Sequence, residues 1–255
     1  MALDLSALNL ALAFGAGMLG GAMNALAGGG TFATMPALIG LGLPSPIANA
    51  TSNSALLPGA VASAWAYRDG LRPLAGISVR LLCAITFAGG LAGSLLLVAT
   101  PTRVFDIIIP WLLLLATLAI AFGKPAAEAL ARHASPGRAS LLTAQALLGI
   151  YGGYFGGGVG LMMTATWGLL AAEQPHRLMG HRTLMLAVAN LAATAIFVAG
   201  DMVVWALCLP MLLGAVAGGY LGALIGRVLS AGVIRGWTLI VTAVTTIVFF
   251  WRAYG

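Results

Sequence analysis

The stretch NALAGGGTF, Asn24 to Phe32, stands inside a strongly apolar region and yet carries an asparagine and three consecutive glycines. Only about a dozen further residues run apolar before LPSPIANATSN, Leu43 to Asn53, interrupts the pattern again. Backbone amides and carbonyls that leave a helix inside a bilayer lose their partners, so irregular backbone is kept there only where protein or a wet cavity covers it. The reading of this interruption decides the fold.

Around it, the chain is 61% hydrophobic and 7% charged over 255 residues, with a mean hydropathy of +1.03. Uncharged runs recur from Leu5 to Tyr67, Leu81 to Thr102 and Ile107 to Gly123. A soluble core element needs a polar face, and these segments have none. The composition specifies an all-α polytopic membrane protein whose solvent is the lipid bilayer. The formal charge of +6 does not point to nucleic acid, because the 12 basic residues are scattered between apolar segments, as in loops that orient a membrane protein. Cys83 and Cys208 sit in apolar segments as packing residues, and no spacing suggests a metal or cofactor. The start, MALDLSALNL, lacks a basic region ahead of its apolar run, so the first helix is expected to be retained.

Two copies of one plan are visible: a first transmembrane repeat at 1–123, a polar cytoplasmic linker at 124–139 and a second repeat at 140–255. With a shift of 130, Gly28 to Gly30 fall on Gly158 to Gly160, and Gly70 falls on Gly200. One residue of slippage later, GGLAG (Gly89 to Gly93) matches GGYLG (Gly218 to Gly222). Each half offers five elements, at about 6–27, 31–43, 47–67, 74–99 and 104–122, then at about 140–157, 160–172, 178–199, 202–226 and 232–251. The second element of each half covers only ~20 Å, short of a ~30 Å hydrocarbon core, so the ten elements make eight to ten crossings. If all ten cross, Arg68, Arg72, Arg80, Lys124, Arg132, Arg138, Arg177, Arg182, Arg227 and Arg235 share one side, against Arg103 and Arg252 on the other. If the short elements dip and return, the split is seven against five. The stronger asymmetry puts the linker in the cytoplasm and both termini in the periplasm. Five elements per half then makes the repeats inverted, an arrangement common in secondary transporters.

Glycine allows positive φ and close backbone approach. A short helix is expected after each glycine cluster, from Thr31 and from Leu161, with free N–H groups and a positive dipole end facing the break. Around these breaks lie the candidate binding residues: Asn24, Gly28, Gly29, Gly30, Thr31, Asn49, Thr51, Ser52 and Asn53 in the first half, Gly158, Gly160, His181 and Arg182 in the second. The amides and hydroxyls donate hydrogen bonds, and Arg182 suits an oxyanion through its two-pronged guanidinium. His181 and Arg182 equally suit a plain cytoplasmic start of the helix near Met179. The second breaks, PSPIANATSN and EQPHRLMGHRT, are expected to open with extended backbone imposed by Pro44, Pro46 and Pro175. GGLAG and GGYLG read as helix-packing motifs instead. His181 is the one candidate titrating group at depth, so proton coupling is left open beside uniport.

The block from Gly20 to Leu71, containing NALAGGG, ANATSN and LLPG in that order, resembles the first conserved block of the sulfite exporter TauE/SafE family. GIYGGYFGGGVGLMM and LMGHRTLMLAVANLAATAIFVAGDMVVW resemble its second. The family's usual proline after the second glycine run is absent, and His181 and Arg182 replace the commoner small hydroxyl residues. The resemblance implies a transporter without catalytic residues that moves a small sulfur-containing anion, sulfite or an organosulfonate such as sulfoacetate, outward across the bacterial inner membrane by alternating access. Two rival readings are a carrier or channel for another small anion such as a carboxylate, and an intramembrane enzyme. Homo-oligomerisation is left open.

Overall fold

The computed structural model describes residues 5–131, 137–170, 178–226 and 228–255. Among them are ten α-helices and no strand. They are α1 (Ala7–Leu26), α2 (Thr31–Gly40), α3 (Ser45–Ala66), α4 (Val79–Ala99), α5 (Thr102–Ala131), α6 (Arg138–Tyr154), α7 (Val159–Leu170), α8 (Met179–Ala199), α9 (Trp205–Ile225) and α10 (Ala231–Tyr254). Six are long and apolar enough to cross a membrane: α1, α4, the part of α5 up to Gly123, α8, α9 and α10 from Gly232. With 10 and 12 residues, α2 and α7 reach about 15 and 18 Å at ~1.5 Å per residue.

Some boundaries differ from the sequence-based expectation. PSPIANATSN is not a second break: Pro44 is extended (φ −56°, ψ 144°) and caps α3, but the helix starts at Ser45 and carries Asn49 to Asn53 on its inner turns. Pro46 sits in the first turn, where its missing N–H has no helical partner to lose. EQPHRLMGHRT lies partly outside the described residues, as do Pro175, His176 and Arg177. Helix α4 starts at Val79 rather than near residue 74, after a tight turn in which Leu74 and Ile77 exchange backbone hydrogen bonds of 2.9 Å. Helix α5 runs through Lys124 to Ala131, so much of the expected linker is helical.

The helices pack across the two halves. Helix α1 lies on α9 and α4 lies on α6, first element of each half against the fourth of the other. Glycine makes both seams. A Cβ on Gly17 or Gly21 would overlap the carbonyls of Met211 or Ala215, and one on Gly214 or Gly218 those of Phe14 or Met18. In the other seam Gly93 meets the Ile150 carbonyl and Gly153 meets that of Gly90. Lipid tails are as apolar as leucine, so burial alone does not hold membrane helices together; close van der Waals contact does. GGLAG and GGYLG are therefore packing surfaces. Helices α3 and α8, buried along much of their length, cross between these two pairs.

The seam gives a prediction within one helix. Gly21→Ala should destabilise by about 1–3 kcal/mol through overpacking. Gly15→Ala, where nothing lies within 4 Å of the new Cβ, should be neutral or stabilising by about 0.5–1 kcal/mol. Thermal unfolding of the two variants in detergent, compared with wild type, measures the difference.

Candidate functional site

Both glycine breaks are built the same way. At the end of α1, Gly28 takes φ +81°, and the amides of Ala27 and Gly28 fold back onto the Met23 carbonyl at 2.8 and 3.0 Å. At the end of α6, Gly156 takes φ +76°, and the amides of Phe155 and Gly156 fold back onto Tyr151 at 2.9 and 3.2 Å. The left-handed residue that closes a helix this way is nearly always glycine. Gly28 thus has its structural counterpart in Gly156, and Thr31, which opens α2, in Val159, which opens α7. This replaces the expected match of Gly28 with Gly158, and the expected start of α7 at Leu161, by a register two residues earlier. Gly158 is a second left-handed residue, at φ +74°.

Each break leaves donors open. Asn24 Oδ1 accepts from the Gly30 amide at 2.8 Å, so Asn24 braces the loop rather than offering its own donors there. Among the described residues the amides of Gly29 and Thr31, and of Gly157, Gly158 and Gly160, have no acceptor. The two breaks also meet. A Cβ on Gly28 would lie 3.6 Å from Gly160 Cα, and one on Gly160 would lie 3.3 Å from Cγ of Arg182. The stem of Arg182 therefore lies on Gly160, beside the point where the backbones touch.

Arg182 is only 7% exposed. Its guanidinium donates to the thioether of Met179 at 2.9 Å, and no carboxylate lies within ion-pair distance among the described residues. It lines a narrow cleft of about 30 Å³ with Asn24, Ser63, Thr183 and Gly219. That is room for roughly two waters. A buried cation without a counter-charge is costly, because burial strips its hydration. An oxyanion between the guanidinium and the open amides would offset this through charge-assisted hydrogen bonds of ~1.5–3 kcal/mol each.

The other candidates face elsewhere. Thr51 Oγ1 accepts from the Val204 amide at 3.1 Å, which ties α3 to the start of α9. Ser52 and Thr34 share a hydrogen bond of 2.5 Å between α3 and α2. Asn49 Nδ2 donates to the Tyr154 carbonyl at 3.1 Å, leaving its buried Oδ1 unpartnered. Asn53 meets α8, where Asn190 accepts from it at 3.5 Å and Thr194 donates to it at 3.3 Å, next to Gly156. His181 is buried, with Nε2 2.6 Å from the Arg72 carbonyl and Trp167 edge-on at 6.3 Å, and it pins the loop after α3 to α8. Three residues that the sequence did not single out thus join the polar interior: Thr194 beside Asn53, and Ser63 and Thr183 in the Arg182 cleft. All lie on the buried or half-buried sides of helices that read as uniformly apolar. Among the described residues no group of three His, Cys, Asp or Glu could hold a metal.

The bracing and the charge can be separated by one substitution. Asn24→Asp keeps an acceptor for the Gly30 amide and sets a carboxylate in the Arg182 cleft. The variant should unfold within a few degrees of wild type yet lose stabilisation by added anions. Asn24→Ala should instead destabilise by about 1–3 kcal/mol, the cost of an unsatisfied buried donor. Unfolding midpoints with and without anion check both.

Comparison with known proteins agrees with this architecture. The family model described as "Sulfite exporter TauE/SafE" matches residues 13–249. A "Probable membrane transporter protein YfcA" of Escherichia coli K12 is 29% identical over 252 residues, 98% of this chain and 93% of its own. A "Probable membrane transporter protein" of Haemophilus influenzae is 28% identical over 214 residues, 84% of each chain. A "Probable membrane transporter protein ORF9" of Sinorhizobium sp is 28% identical over 244 residues, 94% of this chain and 91% of its own. No solved structure matches significantly. Ten helices, six of them long and apolar enough to cross a membrane, two glycine-capped breaks and a family match over nearly the whole length converge: the chain is a membrane transporter of the sulfite exporter TauE/SafE family.

Proposed function

We propose that the protein is a secondary transporter that carries a small sulfur-containing anion, sulfite or an organosulfonate such as sulfoacetate, outward across the bacterial inner membrane. The observation that carries this reading is Arg182, a buried cation with no carboxylate partner among the described residues, beside the meeting point of two breaks with open amides. In the proposed topology the halves are inverted repeats, the linker is cytoplasmic and both termini are periplasmic. Arg182 holds the anion's charge, and the amides after Gly28 and Gly156 complete its hydrogen bonds. The cleft is too narrow for an organosulfonate, so binding requires α1 and α3 to part from α8, the movement that alternating access demands. The sulfur chemistry of the cargo and the outward direction are supported by the family description alone.

The test is thermal unfolding of detergent-purified protein against sulfite, sulfoacetate, isethionate, taurine, sulfate and acetate. A true ligand at ~100-fold its Kd should stabilise by about 2.7 kcal/mol. The shift should vanish in Arg182→Ala and be partly retained in Arg182→Lys, which keeps the charge but not the fork. Stabilisation by acetate and not by any sulfur anion would move the cargo to carboxylates. An undiminished sulfonate response in Arg182→Ala would remove the arginine from the site.

A further inference from the structure

A second and wider cleft, of about 220 Å³, shares no lining residue with the Arg182 cleft. It opens between the first two turns of α5, which supply Arg103, Asp106 and Ile107, and the last turns of α10, which supply Phe249, Arg252 and Ala253. Arg103 and Arg252 are the two basic residues that the sequence sets apart from the other ten. Among the described residues neither has a carboxylate within 4.0 Å. The one acid in the cleft, Asp106, is engaged by the hydroxyl of Ser45, the first residue of α3. Two arginines thus line one cavity, and among the described residues neither guanidinium has a hydrogen-bond partner.

The cleft is held open by an aromatic clasp. Trp111 Nε1 donates to Tyr254 Oη at 2.9 Å, and that hydroxyl donates to the Ile107 carbonyl at 3.0 Å. Phe250 stands edge-on to Trp111 at 5.1 Å and stacks on Tyr254 at 6.0 Å. The clasp fixes the end of α10 on α5, so Arg103 and Arg252 line a single preformed gap. Trp111 and Trp251 are exposed, as aromatic side chains are at the edge of a bilayer, and Ile107 and Val248 continue the exposed apolar strip between the same two helices.

We propose that this cleft binds a tetrahedral oxyanion at the membrane surface. The positive end of α5 is matched by the negative end of α10 in the same cleft, and the two arginines outnumber the one carboxylate, Asp106, whose charge is engaged by Ser45; a phosphate or sulfate group matches the forked donors of the arginines. Such a group can come from a lipid headgroup or from a free ion. The apolar strip beneath the arginines gives a lipid's acyl chains a path that a free ion does not need. The site shares no residue with the Arg182 cleft and does not rest on the function proposed there.

The test uses the full-length protein in detergent and reads its unfolding midpoint and the lipid it retains in native mass spectrometry. One arm adds phosphatidylglycerol, one adds phosphatidylcholine, and one adds inorganic phosphate. The variants are Arg103→Gln with Arg252→Gln, and, as a charge-matched control, Arg68→Gln with Arg80→Gln. The expected result is stabilisation and retention by phosphatidylglycerol over phosphatidylcholine, with the apparent Kd raised at least tenfold in the first double variant and unchanged in the control. Equal stabilisation by inorganic phosphate, lost in the same variant, would also uphold the oxyanion site and name the free ion as its occupant. An absence of response in wild type, or equal responses in both double variants, would overturn it. Both arginines are exposed, so the glutamine pair should fold, and an unchanged helical circular dichroism spectrum confirms that.

Discussion

A bilayer offers no partner to a bare amide or carbonyl, and the interior of this protein follows from that constraint. Where α1 and α6 stop, left-handed glycine turns at Gly28 and Gly156 take up carbonyls of the last helical turn, and Asn24 takes up one of the amides that follow. Among the described residues the amides of Gly29, Thr31, Gly157, Gly158 and Gly160 remain open, near the place where Gly28 and Gly160 meet. The residues of both breaks, Gly28 to Gly30 and Gly156 to Gly160, are buried.

The same constraint explains how charge is distributed. Arg68 lies exposed over Trp65, 4.3 Å from the ring, and Arg235 donates to the Ala121 carbonyl near the end of the membrane segment of α5. These arginines reach water at little cost. Arg182 has no such escape: its stem is laid on Gly160, and its head reaches only a thioether, a weak acceptor. Its position is expensive in the absence of an anion, and polar groups kept at such expense in membranes mark pathways.

Much of this was legible in the sequence because glycine and arginine announce themselves. The paired breaks, the short elements after them, and the packing role of GGLAG and GGYLG follow from residue type and spacing. The roles of Thr51, Ser52 and His181 did not, because a hydroxyl or ring on an apolar helix reads the same whether it faces a ligand or the start of α9. Only the tertiary partner, such as the Val204 amide for Thr51, decides it. The register of the second half was read two residues late because matching single glycines cannot tell which one carries the left-handed turn. The start of α3 was placed two residues late because two prolines in three residues look like a longer break, whereas Pro44 caps the helix and Pro46 fits its first turn. The helical stretch from Lys124 to Ala131 was taken for linker because its polarity marks it as outside the lipid, which does not prevent a helix.

The glycine seams also set an order in time. Gly17 and Gly21 reach their closest neighbours only at Met211 and Ala215, about 190 residues later in synthesis. At roughly 5–20 residues per second, the first helix waits ~10–40 s in the membrane with its narrow face against lipid. Helix α4 waits a shorter while for α6, and that seam can close before the last four helices exist. The seam of α1 with α9 therefore closes later in synthesis than that of α4 with α6.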